Sequence, residues 1–406
     1  MTLPLVEMPE KRDPGPGLTR MIAAGPLVRM RVPIVGEMIV VTTHAGCEAV
    51  LKDDTLFAAD IAESRNRRIG WLLRLMPRNV RIMTESMLQK DGDAHRRLRK
   101  TVDAAFRRDA IAAWEPRIEA IAARLLDEWA ASEDGDFVRY VARPLPLAVI
   151  CEILGLPEAD RPDFMRWMSS FADGGSLRGL PRLYMSISRI NRYLMDRFDE
   201  CRAAPRDDLI SMLVQAGEGG SGLTDDEVLA MLGLLFVAGH ETTTHLISNS
   251  VLTLLKHPAE RARLSADSSL EGTAVDELLR YVGAVEMAKP RYVRRDTVFL
   301  GYPLRRGQAV MVHLAAANRD PALFDDAARL DLGRRPNRHL ALGGGPHFCL
   351  GAWLTKLELA VILRLLWVRA PDVALAVLED DLRWTGQAGI RALCALPLTP
   401  TPRKGM

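Results

Sequence analysis

The chain has 406 residues, 48% of them hydrophobic, with 54 basic against 52 acidic side chains and a net charge of +2. That length and apolar content can bury a large core, in one domain or in two packed together. A charge balance so close to neutral excludes a general electrostatic pull toward nucleic acid or a membrane surface, so any basic patch must be local.

Residues 1–17, MTLPLVEMPEKRDPGPG, are proline-rich and polar and lack the apolar stretch of a secretory signal. They are expected to form a flexible arm ahead of a single domain over 18–406. Residues 27–42 are rich in β-branched side chains and predict a strand pair turning at residues 36–37. From about residue 93 to 280, apolar residues recur three and four apart, as in SRINRYLMDRFDECR, which predicts mainly helix. Residues 223–256 predict one helix on the order of 50 Å long. Thr224 with Glu227 makes a capping box at its start, and His257-Pro258 stops it. The apolar run at 228–239 falls short of the ~20 residues that span a bilayer, so no membrane anchor is expected. Residues 291–313 return to strand-like text with turns at Gly301 and Gly307. Residues 330–345 read as loop, a long helix follows Cys349, and the tail from Val373 alternates like a small sheet. The five cysteines, Cys47, Cys151, Cys201, Cys349 and Cys394, are odd in number and widely spaced. That argues against a disulfide framework and for a reducing cytoplasm. Cys151 and Cys394, in apolar text, read as small buried hydrophobes.

Four constellations stand out. The first is ALGGGPHFCLG, residues 341–351. Its glycines permit tight turning and close approach to a flat ligand. Its cysteine sits just before a helix, where N–H groups and the helix dipole stabilise a thiolate. The plainer readings are a glycine turn with a buried Cys, or a His347/Cys349 zinc pair, for which no partner pair is visible. The second is AGHETTT, residues 238–244, midway along the long helix. A glycine costs about 1 kcal/mol there, a carboxylate in apolar surroundings several more, and Thr hydroxyls compete with the helical ladder. Such strain marks functional sites, though a chance polar kink is the alternative. The third is Glu277 with Arg280, one helical turn apart, which alone reads as a surface ion pair. The fourth is His95 with Arg99. Both share the inward stripe of Val102 and Phe106, as donors for a buried anion, or else belong to a solvated basic helix.

Together, in this order, the four resemble the cytochrome P450 family, of the soluble bacterial type, over about residues 25–400. The family's cysteine pattern, Phe-Gly-x-Gly-x-His-x-Cys-x-Gly, falls on Leu342, Gly343, Gly345, His347, Cys349 and Gly351. Leu342 departs from it, standing where the family usually has Phe. The helix pattern Ala-Gly-x-Glu/Asp-Thr falls on Ala238, Gly239, Glu241 and Thr242, and Glu-x-x-Arg on Glu277 and Arg280. Ala317-Asn318-Arg319-Asp320-Pro321 also matches family text.

The resemblance implies a mainly α fold with small β-sheets, an α-rich domain plus a smaller β-rich region. It implies a haem-thiolate monooxygenase that inserts one atom of O2 into an organic substrate. The cofactor is haem b (iron protoporphyrin IX), held through iron by Cys349. Electrons come from NAD(P)H through a ferredoxin and its reductase. Glu241 and Thr242 deliver protons. Ala238, Gly239, Leu342, Gly343 and Gly351 border the haem, and His95, Arg99, Arg291 and His347 contact its propionates. Glu277, Arg280 and Arg334 form a buried network. Trp71, Leu72, Met83, Leu234, Leu235, Val285, Met287 and Ile390 line an apolar pocket for a mostly apolar small molecule. Arg96, Arg97, Lys100, Arg107 and Arg108 offer a basic face to the ferredoxin, or are merely solvated. The protein is expected to be a cytoplasmic monomer. The rivals are a peroxygenase of the same fold and a non-catalytic haem-binding sensor or carrier. Neither needs an acid–alcohol pair, so Glu241-Thr242 argues against both.

Overall fold

A computed structural model of the chain describes residues 3–32, 36–64, 77–173, 179–217 and 223–399. The chain groups into two compact units. One comprises Met1–Arg65, Glu115–Pro144 and Thr242–Met406, the other Asn66–Trp114 and Leu145–Glu241. Because the chain passes into the second unit twice, no linker text separates the two.

The first unit contains, in chain order, β1 (Leu5–Val6), β2 (Leu27–Val32), β3 (Gly36–Val41), β4 (Phe57–Ala58), β5 (Arg291–Val293), β6 (Thr297–Phe299), β7 (Tyr302–Leu304) and β8 (Ala309–Val312). β6 and β7 form a separate antiparallel pair around Gly301. The others form one sheet in the order β1-β2-β3-β8-β5-β4. β2 and β3 pair antiparallel from Leu27↔Val41 to Val32↔Gly36, and β3 runs parallel to β8. Successive side chains of a strand face opposite ways. Here Leu27, Ile39, Val41, Val310 and Val312 enter one core with Val50 and Leu51 of the His44–Lys52 helix and with Leu340. Val28, Met30, Val40 and Met311 enter another, with Leu18 and Met21 of the Gly15–Ala23 helix. Leu51 and Leu340 make the first core the support of the cysteine loop.

Three expectations from the sequence do not hold. The supposed flexible arm is anchored: Leu5 and Val6 pair with Arg29 and Met30, and Val6 and Met8 pack against the second core. Its prolines break helix but do not prevent a short edge strand. Gly36 and Glu37 are not a turn but the start of β3, with Gly36 at φ +94°. The tail makes only isolated bridges, such as Trp384↔Leu393 and Leu375↔Leu398, because turns interrupt its alternation before a ladder can form.

The second unit is helical. Its helices include Gly92–Asp103, Arg161–Asp173, Leu180–Ala203 and Leu209–Ala216. Phe164 is fully buried and stacks at 4.2 Å on Phe236 of the long helix. That helix runs Asp225–Lys256, 32 residues, and the division between units falls within it, after Glu241. Its capping box is formed: Thr224 N donates to Glu227 Oε2 at 2.9 Å and Glu227 N to Thr224 Oγ1 at 3.2 Å. Among the described residues no helix is long and apolar enough to cross a membrane.

Candidate active site

The cysteine loop is a compact backbone knot. Gly343 N donates to Leu340 O at 2.8 Å, and Cys349 N returns to Leu342 O at 2.9 Å. Gly343 (φ +74°) and Gly345 (φ +63°) take the left-handed turns that side chains resist. A Cβ on Gly345 would stand 2.2 Å from the Leu51 carbonyl, so this glycine answers to the protein's own packing rather than to a ligand. Gly351, where an added Cβ would meet no protein atom within 4 Å, is the N-cap of the Ala352–Arg369 helix. Cys349 is half-buried two residues before that cap, flanked by exposed Phe348 and Trp353. A thiolate there gains from the helix dipole. The other cysteines differ. Burial pushes the Cys47 thiol far up and that of Cys151 up to about 12. Cys201 is buried. Cys394, expected to be buried, is exposed because the tail forms no sheet over it. Among the described residues no cluster of three or more His, Cys, Asp or Glu offers a metal site, which leaves the zinc alternative without support.

The helix after the cysteine is held by charge. Arg364 donates to Glu115 at 2.9 Å, Glu119 at 2.6 Å and Glu271 at 2.9 Å. Lys356 pairs with Asp276 at 2.7 Å, and His339 lies 3.5 Å from the same carboxylate. Burial would raise the Asp276 pKa, but His339 and Lys356 keep it below the ordinary value.

Glu277 and Arg280 are not on the surface. Both side chains have zero exposure, and the Glu277 carboxylate accepts from Arg280 Nε and Nη2 at 2.7 Å each. It also accepts from Arg334 Nε at 3.2 Å, Asn337 Nδ2 at 3.0 Å and Asp331 N at 3.0 Å. Arg280 spends its remaining donors on the carbonyls of Asn318, Ala327 and Arg329. Asn318 then accepts the Leu340 N–H through Oδ1 at 2.7 Å, which carries the network to the cysteine loop. Asn337 and the role of Asn318 escape the sequence reading, although Asn318 lies in the run 317–321 that matches family text.

In the second unit, His95 is buried and Arg99 half-buried on the stripe of Val102 and Phe106, as the periodicity predicts. Arg96, Lys100, Arg107 and Arg108 are exposed and Arg97 is half-buried; Arg97 pairs with Glu227, Arg96 with Asp93 and Arg107 with Asp109. Leu235 is buried, Leu234 and Glu241 half-buried, and Ala238 exposed in mid-helix. Among the described residues Gly239 meets Ile150 alone, at 3.9 Å, so none of them demands a glycine there. Trp71 and Leu72 lie outside the described residues, as does the Met83 side chain.

In the first unit, Thr242 is half-buried and Thr243 buried, with Thr243 Oγ1 3.4 Å from Thr355 Oγ1 of the post-cysteine helix. Arg291, the first residue of β5, is buried. Val285 bridges to Ile390, and both are half-buried. Met287 belongs instead to the second core with Leu18 and Met21, so most of its surface is taken by packing.

These residues suit a haem. In the first unit the half-buried cysteine at a helix N-terminus fits an iron ligand and buried Arg291 fits a carboxylate; in the second, buried His95 fits a hydrogen-bond donor, and the described residues leave room at Ala238–Gly239 that larger side chains would fill. Comparison with known proteins agrees. The cytochrome P450 family description matches residues 179–269 and 272–367. The chain is 36% identical over 360 residues, 88% of each chain, to the polyketide biosynthesis cytochrome P450 PksS of Bacillus subtilis. It is 37% identical over 389 residues, 95% of this chain and 91% of the other, to the cytochrome P450 monooxygenase PikC of Streptomyces venezuelae. The fold matches a myxobacterial cytochrome P450, CYP267B1, solved with myristic acid, at a TM-score of 0.88 and 38% identity over 96% of both chains. The chain belongs to the cytochrome P450 family, and it is a haem-thiolate monooxygenase that uses haem b, O2 and electrons originating from NAD(P)H and passed on by a redox partner.

Removing the Glu277 carboxylate would leave Arg280 buried without its counter-charge. Glu277→Ala is expected to cost about 3–5 kcal/mol, read as a fall in the denaturant midpoint. A loss under about 1 kcal/mol would show that the network is dispensable.

Proposed function

We propose that Cys349, as a thiolate, would hold the haem iron. The observation that carries this is its setting: of the five cysteines it is the half-buried one in a glycine turn immediately before a helix. Bound haem supplies the oxygen-activating redox chemistry, and a thiolate ligand donates the electron density that favours O–O cleavage. Arg99, Arg291, His95 and His347 hold the propionates as charge-assisted donors. Ala238, Gly239, Gly343 and Gly351 let backbone lie close to the macrocycle, and Leu342 takes the place beside the sulfur. The Thr242 hydroxyl holds the proton to be transferred, and Glu241, half-buried beside it, reloads that hydroxyl from solvent.

The substrate is a mostly apolar small molecule. Apolar side chains suit it: Leu234 and Leu235 in the second unit, and Val285, Ile390 and the edge of Met287 in the first, while Trp71, Leu72 and Met83 are apolar in sequence. The myristic acid bound by the myxobacterial relative is of the same class. The electron donor is an acidic ferredoxin, steered by exposed Lys100, Arg107 and Arg108. The scattered cysteines fit a reducing cytoplasm, and the protein acts as a monomer.

Cys349→Ala is expected to abolish the thiolate-type spectrum of the ferrous-carbonyl form; its persistence would remove Cys349 from the role. Thr242→Ala should retain that spectrum but lower product formed per NAD(P)H by at least about tenfold, the electrons appearing as hydrogen peroxide. Unchanged coupling would dismiss the hydroxyl. Arg107→Glu with Arg108→Glu should slow reduction by a ferredoxin about tenfold at low ionic strength and less at high salt. A rate indifferent to both would discard the basic face.

A further inference from the structure

One buried cation gathers both ends of the chain. Arg391 is 9% exposed, and its guanidinium is consumed by backbone carbonyls. Nε donates to Lys11 O at 2.7 Å, Nη2 to Arg12 O at 3.0 Å and Nη1 to Val282 O at 3.1 Å. The Trp384 ring lies 4.5 Å from its carbon, and its own carbonyl accepts from Asn249 Nδ2 at 2.7 Å. Lys11 in turn sends its ammonium to Glu286, a buried carboxylate. Arg12 reaches Asp380 Oδ1 at 2.8 Å.

The residues so gripped are the ones beside Val285 and Ile390. Glu286 N and Met287 N both donate to Gly389 O, at 2.8 and 3.3 Å, and Arg391 N donates to Ala284 O at 2.9 Å. Val285 and Ile390 face each other across a single bridge that no ladder extends. These backbone bonds are few, and the N-terminal segment adds side-chain bonds to them: Lys11 holds Glu286, and the carbonyls of Lys11 and Arg12 accept from Arg391. Val6 and Met8 add an apolar grip on the core that holds Met287.

We propose that residues 8–13 are a strap that sets the position of segments 285–287 and 389–391, and that Lys11 and Arg391 thereby govern which substrates fit. They are positioning residues: they act through the wall, not on the substrate. The inference rests on the assignment of Val285 and Ile390 to the substrate pocket. An uncompensated Glu286 carboxylate would draw in water or move its segment, and Val285 would move with it.

The test uses holoprotein and two iron-binding probes read by the shift of the haem absorption band: imidazole, too small to reach a pocket wall, and clotrimazole, whose three aryl rings must contact one. Lys11→Met should change the clotrimazole dissociation constant about tenfold and leave that of imidazole within about twofold. Lys11→Arg should restore the parent value. Independently of haem ligation, amide hydrogen exchange at Glu286, Met287 and Arg391 should rise about tenfold in Lys11→Met. Equal changes for both probes, or unchanged exchange at those amides, would overturn the strap. Val285→Ala and Ile390→Ala separate the two readings. If they alter clotrimazole binding and Lys11→Met does not, the strap is wrong and the pocket stands. If they leave it unaltered, the pocket assignment fails, and the strap's part in specificity fails with it.

Discussion

The Glu277 carboxylate is a buried charge that the fold must satisfy in full. Taking a carboxylate and a guanidinium out of water costs several kcal/mol each, and attraction repays this only when the remaining hydrogen-bonding capacity is filled. Here it is filled: two bonds come from Arg280, one from Arg334, one from Asn337 and one from the Asp331 backbone. Because Arg280 then binds the carbonyls of residues 318, 327 and 329, an irregular stretch of chain is shaped around a point charge. The preceding residue of the same helix, Asp276, takes Lys356 from beyond the cysteine and His339 from before it. One helical turn therefore grips both flanks of the cysteine loop, and the sulfur inherits its position from electrostatics several residues away.

Around that anchor the chain accepts two local costs for different reasons. Gly345 is required by the Leu51 carbonyl, so its conformational freedom serves the packing of loop on helix. Gly239 has no such neighbour among the described residues, and none of them offsets its cost of about 1 kcal/mol in helix stability. A glycine that packing explains and a glycine that packing leaves unexplained look the same in sequence. The second kind is the one that points to a ligand.

What was legible in the sequence follows from the range of the interactions involved. The long helix, its capping box, the inward His95 stripe and the strands around Gly301 are set by residues a few positions apart, and the text shows them. The Glu277 network was readable only through resemblance: an (i, i+3) pair has the same appearance on a surface as in a core, and burial to zero exposure depends on residues 318–337. The anchoring of the arm, the Arg97 ion pair and the hold on Arg391 were not legible for one shared reason. Leu5 pairs with Arg29, Arg97 with Glu227, and Arg391 with Lys11 and Arg12; each contact spans more than twenty residues and leaves no periodic trace.

The same contrast separates reaction from substrate. The groups we propose for the chemistry sit in dense runs, 238–242 and 342–351, on backbone fixed by helix and knot. Val285 and Ile390 sit on short segments joined by one bridge with its backbone bonds and steadied by buried Arg391 and half-buried Lys11 from opposite ends of the chain. A proposed pocket wall made of such pieces would shift when a side chain far from it changes, while the cysteine loop has its own backbone bonds in addition to the Glu277 and Asp276 contacts. One sequence can in this way keep its oxygen chemistry constant and vary the molecule to which that chemistry is applied.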